Sequence, residues 1–174
     1  RAPSPSVPAL TAMIVDDDPS SRRIARLALR EYFPCIVEVD DGAHALERIC
    51  MSTPDLLVID QCMPGLTGVE VIRELRSRLE TAALPIVMLT AMHGDQMESV
   101  SLDAGADDYL EKPVSPERLR ARANSILRSR RRRALLNDHR RESSSSATTR
   151  GGGRSIPPEP LRSQSAPNLA VRPE

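Results

Sequence analysis

Leu56 to Gly68 read "LLVIDQCMPGLTG": four large apolar residues, an aspartate at position 60, and then a Pro-Gly loop that suits neither helix nor strand. A short apolar run bounded by turn formers reads as a strand covered on both faces, the kind found inside a parallel sheet. An aspartate closing such a strand is most often a turn former or the cap of the next helix. Its companions in the chain decide whether it is more.

Working outward, the same layout recurs. "AMIV" runs up to Asp16 and "IVML" up to Thr90, while "CIVEV" from Cys35 and "DYLEK" from Asp108 are more polar and fit sheet edges. Between them lie amphipathic stretches: 20–32 with Ile24, Leu27 and Ala28 on one face, 43–51 with Ala43, Leu46 and Ile49, 69–79 with Val71, Ile72, Leu75 and Leu79, and a weaker one at 95–104. A long helix is expected from Ser115 to about residue 140, with Pro116 in its first turn and Leu119, Ala123, Ile126 and Leu127 as its stripe. Strands that alternate with helices in this way predict an α/β fold, a doubly wound five-stranded parallel sheet with helices on both faces.

Composition agrees with one such domain plus extras. The chain has 174 residues, 40% of them hydrophobic, with one Phe, two Tyr and no Trp, so its core must be aliphatic. Apolar runs fall far short of the ~20 residues a membrane span needs, and no leader pattern opens the chain, so a soluble cytoplasmic protein is expected. A chain opening on Arg1 is expected to be a piece or a processed product of something longer. Cys35, Cys50 and Cys62 are odd in number and lack metal-ligand spacing, as free thiols in a reducing compartment would.

The net charge of zero conceals a division. Residues 1–116 carry 10 basic and 19 acidic side chains, residues 117–142 carry 10 and 3, and residues 143–174 carry 4 and 2. Lys112 is the one lysine among 24 basic residues, a departure that asks for a reason. From Glu142 the chain turns to Ser, Pro, Gly and Arg without periodicity, a composition expected to stay disordered. The organisation expected is therefore an N-terminal extension over 1–10, a folded domain over 11–128, a basic helical extension or linker over 129–142 and a disordered tail over 143–174.

Ligands of open parallel sheets bind outside the carboxyl ends of the strands. That rule gathers Asp16, Asp17 and Asp18 after the first strand, Asp60 after the third, Thr90 after the fourth and Lys112 after the fifth. Each alone has an ordinary reading as cap, turn or surface residue. Together the carboxylates would repel one another, and a hard divalent cation such as Mg²⁺ removes that conflict. Pro64, Gly65 and Gly68 would bend the loop away and leave Asp60 free.

"MIVDDDPSSRRI", "LLVIDQCMPGLTG", "PIVMLTA" and "GADDYLEKP" resemble, in order and spacing, the receiver domain of two-component response regulators across about residues 11–128. The resemblance implies a flavodoxin-like sheet of order 2-1-3-4-5. It implies that Asp60 accepts a phosphoryl group from a histidine kinase or histidine phosphotransfer protein, with Mg²⁺ as cofactor. Asp17 and Asp60 would touch the ion directly, Asp16 through water, and Cys62 would lend its backbone carbonyl. Thr90 would bond the phosphoryl oxygen, Lys112 would pair with it, and Tyr109 would be the aromatic switch. Lys112-Pro113 would be cis. The domain would act in signalling rather than as a conventional enzyme, catalysing only its own phosphorylation and dephosphorylation. Residues 95–128 would meet an effector or a second copy.

Three other readings are weighed. "MIVDDDPS" also resembles the first motif of haloacid-dehalogenase-type phosphatases, with Asp16 as nucleophile, Asp18 as acid, and Thr90 and Lys112 as later motifs. That family needs an acidic pair after its lysine strand, and it gives the loop after Asp60 no role. Arg128 and Arg130–Arg133 could attract nucleic acid, but no aromatic residues interleave them for stacking and no second helix-turn-helix unit follows. In the tail, "RSQSAP" resembles an arginine-directed phosphoserine motif read by adaptors of the 14-3-3 type, centred on Ser165.

Overall fold

Alternation of apolar positions in the central strands sorts their side chains to two faces, and each face needs its own cover of helices. The computed structural model supplies both covers. It describes residues 9–91, 95–129 and 132, the side chains of 95–98 excepted. All of these lie in the unit Arg1–Ala134. Most of the arginine-rich segment and the whole tail with Ser165 fall outside the described residues, as does the extension before residue 9.

The elements in chain order are β1 (Thr11–Val15), α1 (Pro19–Leu29), β2 (Cys35–Val39), α2 (Gly42–Met51), β3 (Leu56–Asp60), α3 (Gly68–Ser77), β4 (Ile86–Thr90), α4 (Asp95–Asp103) and β5 (Asp108–Glu111). A further helix, α5, covers residues 116–129. The five strands are all parallel in the order β2-β1-β3-β4-β5, with the two polar strands at the edges as expected. Lys112-Pro113 is cis, also as expected.

Met13, Val15, Leu57, Ile59, Ile86 and Met88 pack beneath α2 and α3, while Ala12, Ile14, Leu56, Val58, Val87 and Leu89 pack beneath α1 and α5. The core is aliphatic except for the buried Phe33. Each fully buried Leu or Ile contributes roughly 1.5–3 kcal/mol. Among the described residues no helix is long and apolar enough to cross a membrane.

Three helix faces differ from the sequence expectation. In α1 the buried residues are Ala25, Ala28 and Leu29, whereas Ile24 and Leu27 stand 41% and 45% exposed. The stripe is turned by one residue, and two alanines let the helix lie close to the sheet. In α2 the inward residues are Gly42, Ala45 and Ile49, and Ala43 is exposed. In α3, Val71, Ile72 and Leu75 are buried as expected, but the helix ends at Ser77 and Leu79 is 92% exposed. Arg78 leaves the helical region at φ −103 and ψ 131, which carries Leu79 off the stripe.

Candidate functional site

The strands end along one rim, and the backbone there is tied across the sheet. Asp16 N–H donates to Val39 O, Gln61 N–H to Leu89 O and Lys112 N–H to Thr90 O, at 3.2, 2.8 and 2.7 Å. Each loop therefore starts from a fixed point. After β1, Asp18 caps α1 by accepting from Ser20 N–H and Ser21 N–H, and its hydrogen bonds from Ser21 and Ser20 hold its pKa below the ordinary value. Asp16 Oδ1 accepts from Asp18 N–H at 3.0 Å.

The loop after β3 is built to return quickly. Gly65 has φ +78, a left-handed conformation that suits glycine. Gly68 has a different reason, since a Cβ there would stand 2.5 Å from the Asp60 carbonyl oxygen. Its N–H donates to Gln61 O at 3.1 Å, and the Gln61 side chain accepts from Val69 N–H at 3.0 Å. Thr67 and Glu70 form a capping box that starts α3.

These loops bring Asp16, Asp17 and Asp60 together, each offering a carboxylate oxygen within 4.8 Å of the others. Asp16 and Asp60 are buried and Asp17 is exposed. Lys112 Nζ reaches in from the end of β5, 2.7 Å from Asp16 Oδ2 and 3.0 Å from Asp60 Oδ1. The second contact is close enough for charge but poorly aligned, so the buried Oδ1 of Asp60 makes no hydrogen bond. Burial raises the Asp60 pKa, and the Asp16 charge adds to it against the neighbouring Lys112 ammonium and the amide of Cys62. Burial also opposes the Lys112 ammonium, but Asp16 and Asp60 outweigh it and its pKa stands above the ordinary lysine value.

Thr90 is buried at the end of β4, in register with Glu111 of the neighbouring strand. Tyr109 is half-buried, pairs in register with Met88 and packs on the core beneath α2 and α3. Cys62 is exposed. Asp18, the acid of the phosphatase reading, is engaged as the α1 cap. The sequence reading passed over Gln61, which staples the loop, and Arg22, whose Nη1 donates to the Asp16 carbonyl at 2.6 Å. Both act on backbone, for which many polar types could serve, so neither stood out.

A buried carboxylate with an unfilled acceptor, beside two more carboxylates, is a donor set of hard oxygens. It fits Mg²⁺, which favours one or two carboxylates and retained water. Asp40, Asp41 and His44 form a second acidic group, but Asp41 is the α2 cap and His44 lies on it. A groove of about 430 Å³ adjoins Lys112 and is lined by Ser21, Ile24, Ala25, Leu89, Pro113 and Val114 among others. In α5, Arg120 lies 3.8 Å from Glu31 and Arg122 lies 3.2 Å from Asp108, so these two arginines face acidic partners.

Comparison with known proteins gives consistent likenesses. Residues 12–124 match the family model for the response regulator receiver domain. The response regulator MprA of Mycobacterium ulcerans is 44% identical over 116 residues, 67% of this chain and 49% of that protein. This chain thus spans about half the length of the curated relatives it matches. A candidate response regulator from Chloroflexus aurantiacus superposes with a TM-score of 0.64 at 36% identity, over 68% of this chain and 98% of that one. The chemotaxis protein CheY4 of Vibrio cholerae does so with a TM-score of 0.63 at 26% identity, over 68% and 98%.

Proposed function

This chain belongs to the response regulator receiver domain family, and from that premise we propose that Asp60 is a phosphoacceptor, charged in a Mg²⁺-dependent reaction by a phosphohistidine donor. The observation that carries this reading is the cluster of Asp16, Asp17 and Asp60 with Lys112 at 2.7 and 3.0 Å from two of them. Asp17 and Asp60, with the Cys62 carbonyl, would hold Mg²⁺ directly and Asp16 would hold it through water. When bound, the ion neutralises the carboxylates and the phosphoryl oxygens.

Asp60 contributes the nucleophile. A carboxylate oxygen forms the new P–O bond as the P–N bond of the donor breaks, and the departing imidazole nitrogen recovers a proton from solvent. Such transfers depend on position and charge neutralisation more than on covalent help. Lys112 supplies a compact positive charge suited to one phosphoryl oxygen, which accounts for a lysine amid arginines. The apolar groove beside it gives the donor, a histidine kinase or phosphotransfer protein, a surface to lie against.

Thr90 would donate its hydroxyl to the phosphoryl group, and Tyr109 on the adjacent strand would follow it inward. The face formed by residues 95–128 would then change and meet an effector or a second copy.

The test is direct labelling. The protein is incubated with acetyl phosphate and Mg²⁺, and the acyl phosphate is trapped with borohydride and mapped. Label at Asp60, lost without Mg²⁺ and in Asp60→Asn or Asp17→Ala, is the expected result. Label at Asp16, or undiminished label in Asp60→Asn, would sink the assignment.

A further inference from the structure

Arg22 stands in the first turns of α1, and its side chain runs back over the loop that precedes it. Nη1 donates to the backbone carbonyl of Asp16 at 2.6 Å, and Nε lies 3.7 Å from a Glu38 carboxylate oxygen on β2. Only 18% of the Arg22 side chain is exposed. The carbonyl it holds lies one residue past Val15–Val39, where the pairing of β1 with β2 stops. The acidic loop leaves the sheet at that carbonyl, and Arg22 satisfies it. The Asp16 carboxylate is meanwhile held by the Asp18 amide and by Lys112.

We propose that Arg22 is a positioning residue for the cation site: by tying the Asp16 peptide to Glu38 of β2, it keeps the carboxylates of Asp16 and Asp17 within one ion's reach of Asp60. This rests on the reading that the three carboxylates hold Mg²⁺. Charge and position predict effects of opposite sign. A guanidinium near carboxylates repels an arriving cation, so if its charge were the contribution, its removal would tighten binding. If its contribution is to fix the peptide, its removal weakens binding. Groups that orient metal ligands from outside typically contribute about 10–100-fold in affinity, and the lower end is expected for one bond to backbone.

Arg26 provides the control. It pairs with the same Glu38 at 2.8 Å, the shorter of the two ion pairs, from one turn further along α1. The experiment is calorimetric titration of the full chain with MgCl₂, with Mn²⁺-enhanced water-proton relaxation as a second readout and circular dichroism to establish folding. Arg22→Met is expected to bind Mg²⁺ about tenfold more weakly than wild type, and Arg26→Met within about twofold of it. Arg22→Lys, which keeps the charge but loses the planar fork, is expected to fall between them, and it decides the matter if Arg22→Met does not fold. Unchanged or tighter binding in the folded Arg22 variants overturns the proposal. So does an equal loss in Arg26→Met, which would assign the effect to the Glu38 ion pair. A wild type that binds no Mg²⁺ overturns the metal reading itself, and this inference with it.

Discussion

Asp60 is held where its charge is least welcome. Its carboxyl is buried beside Asp16, and burial raises its pKa above the ordinary 3.8. A group whose folded pKa stands above its unfolded one contributes stability below the unfolded value and loses it as pH rises through the folded value. At neutral pH, then, Asp60 weakens the metal-free fold. Asp60→Asn cannot ionise, so it is expected to melt higher than wild type near pH 7 without Mg²⁺, the gap closing as pH falls through the raised pKa. Calorimetric melting from about pH 8 to about pH 4 checks the sign, and a lower melting temperature for the variant at neutral pH would contradict it. With Mg²⁺ at 100 times its dissociation constant, wild type should recover about 2.7 kcal/mol, and the variant far less. Asp16, Asp17, Asp60, Thr90 and Lys112 were legible in the sequence because parallel strands deliver their ends to one rim, so position alone gathered them. Arg22 and Gln61 were not, since what they recognise is peptide, which leaves no mark on its partner's identity.

At the scale of the element, the strands were the readable part and the helix faces were not. Continuous apolar runs have one interpretation at this length, and all three became central strands. A helical stripe is ambiguous by one residue whenever small and large apolar side chains are mixed. The "RRIARLAL" stretch of α1 offers Ile24 with Leu27 and Ala25 with Leu29 almost equally, and packing distance, which sequence does not report, chose the alanines. The β3–α3 loop shows a similar limit. Its Pro-Gly composition announced a turn, yet Gly68 was read as a bend when its task is to leave room. Gly68→Ala would press a methyl against the Asp60 carbonyl, 2.5 Å away, and against the Gln61 Cα at 3.0 Å. Both are backbone atoms and must move, so we expect a loss of roughly 1–3 kcal/mol in stability by denaturant titration. Labelling of Asp60 should fall as well, and an Ala variant that melts and labels like wild type would remove this account of the glycine.

For the whole molecule, the division of charge matters more than its zero sum. The acidic body carries the chemistry proposed here, and the basic segment after it is built from arginines, two of which already face acids of the body. The composition of the residues from 143 onward cannot build a core, so a chain ending at residue 142 is expected to accept phosphate from acetyl phosphate at the full-length rate. A truncated chain that folds but accepts little would assign the tail a part in the reaction. The parallel sheet has a further consequence. Leu10 enters β1 at the rim away from the carboxylates, and Ser129 of α5 lies beside Ala83, Pro85 and Asp107, which mark that same far rim. A five-residue strand is about 17 Å long, so residue 10 and residue 129 each stand about a full strand's length from Asp60. On the proposed reading, a phosphoryl group on Asp60 touches neither of these two points. Its effect would reach that far rim only as displacement through the domain, and the stiffness of the strands between the two rims would set how faithfully it arrives.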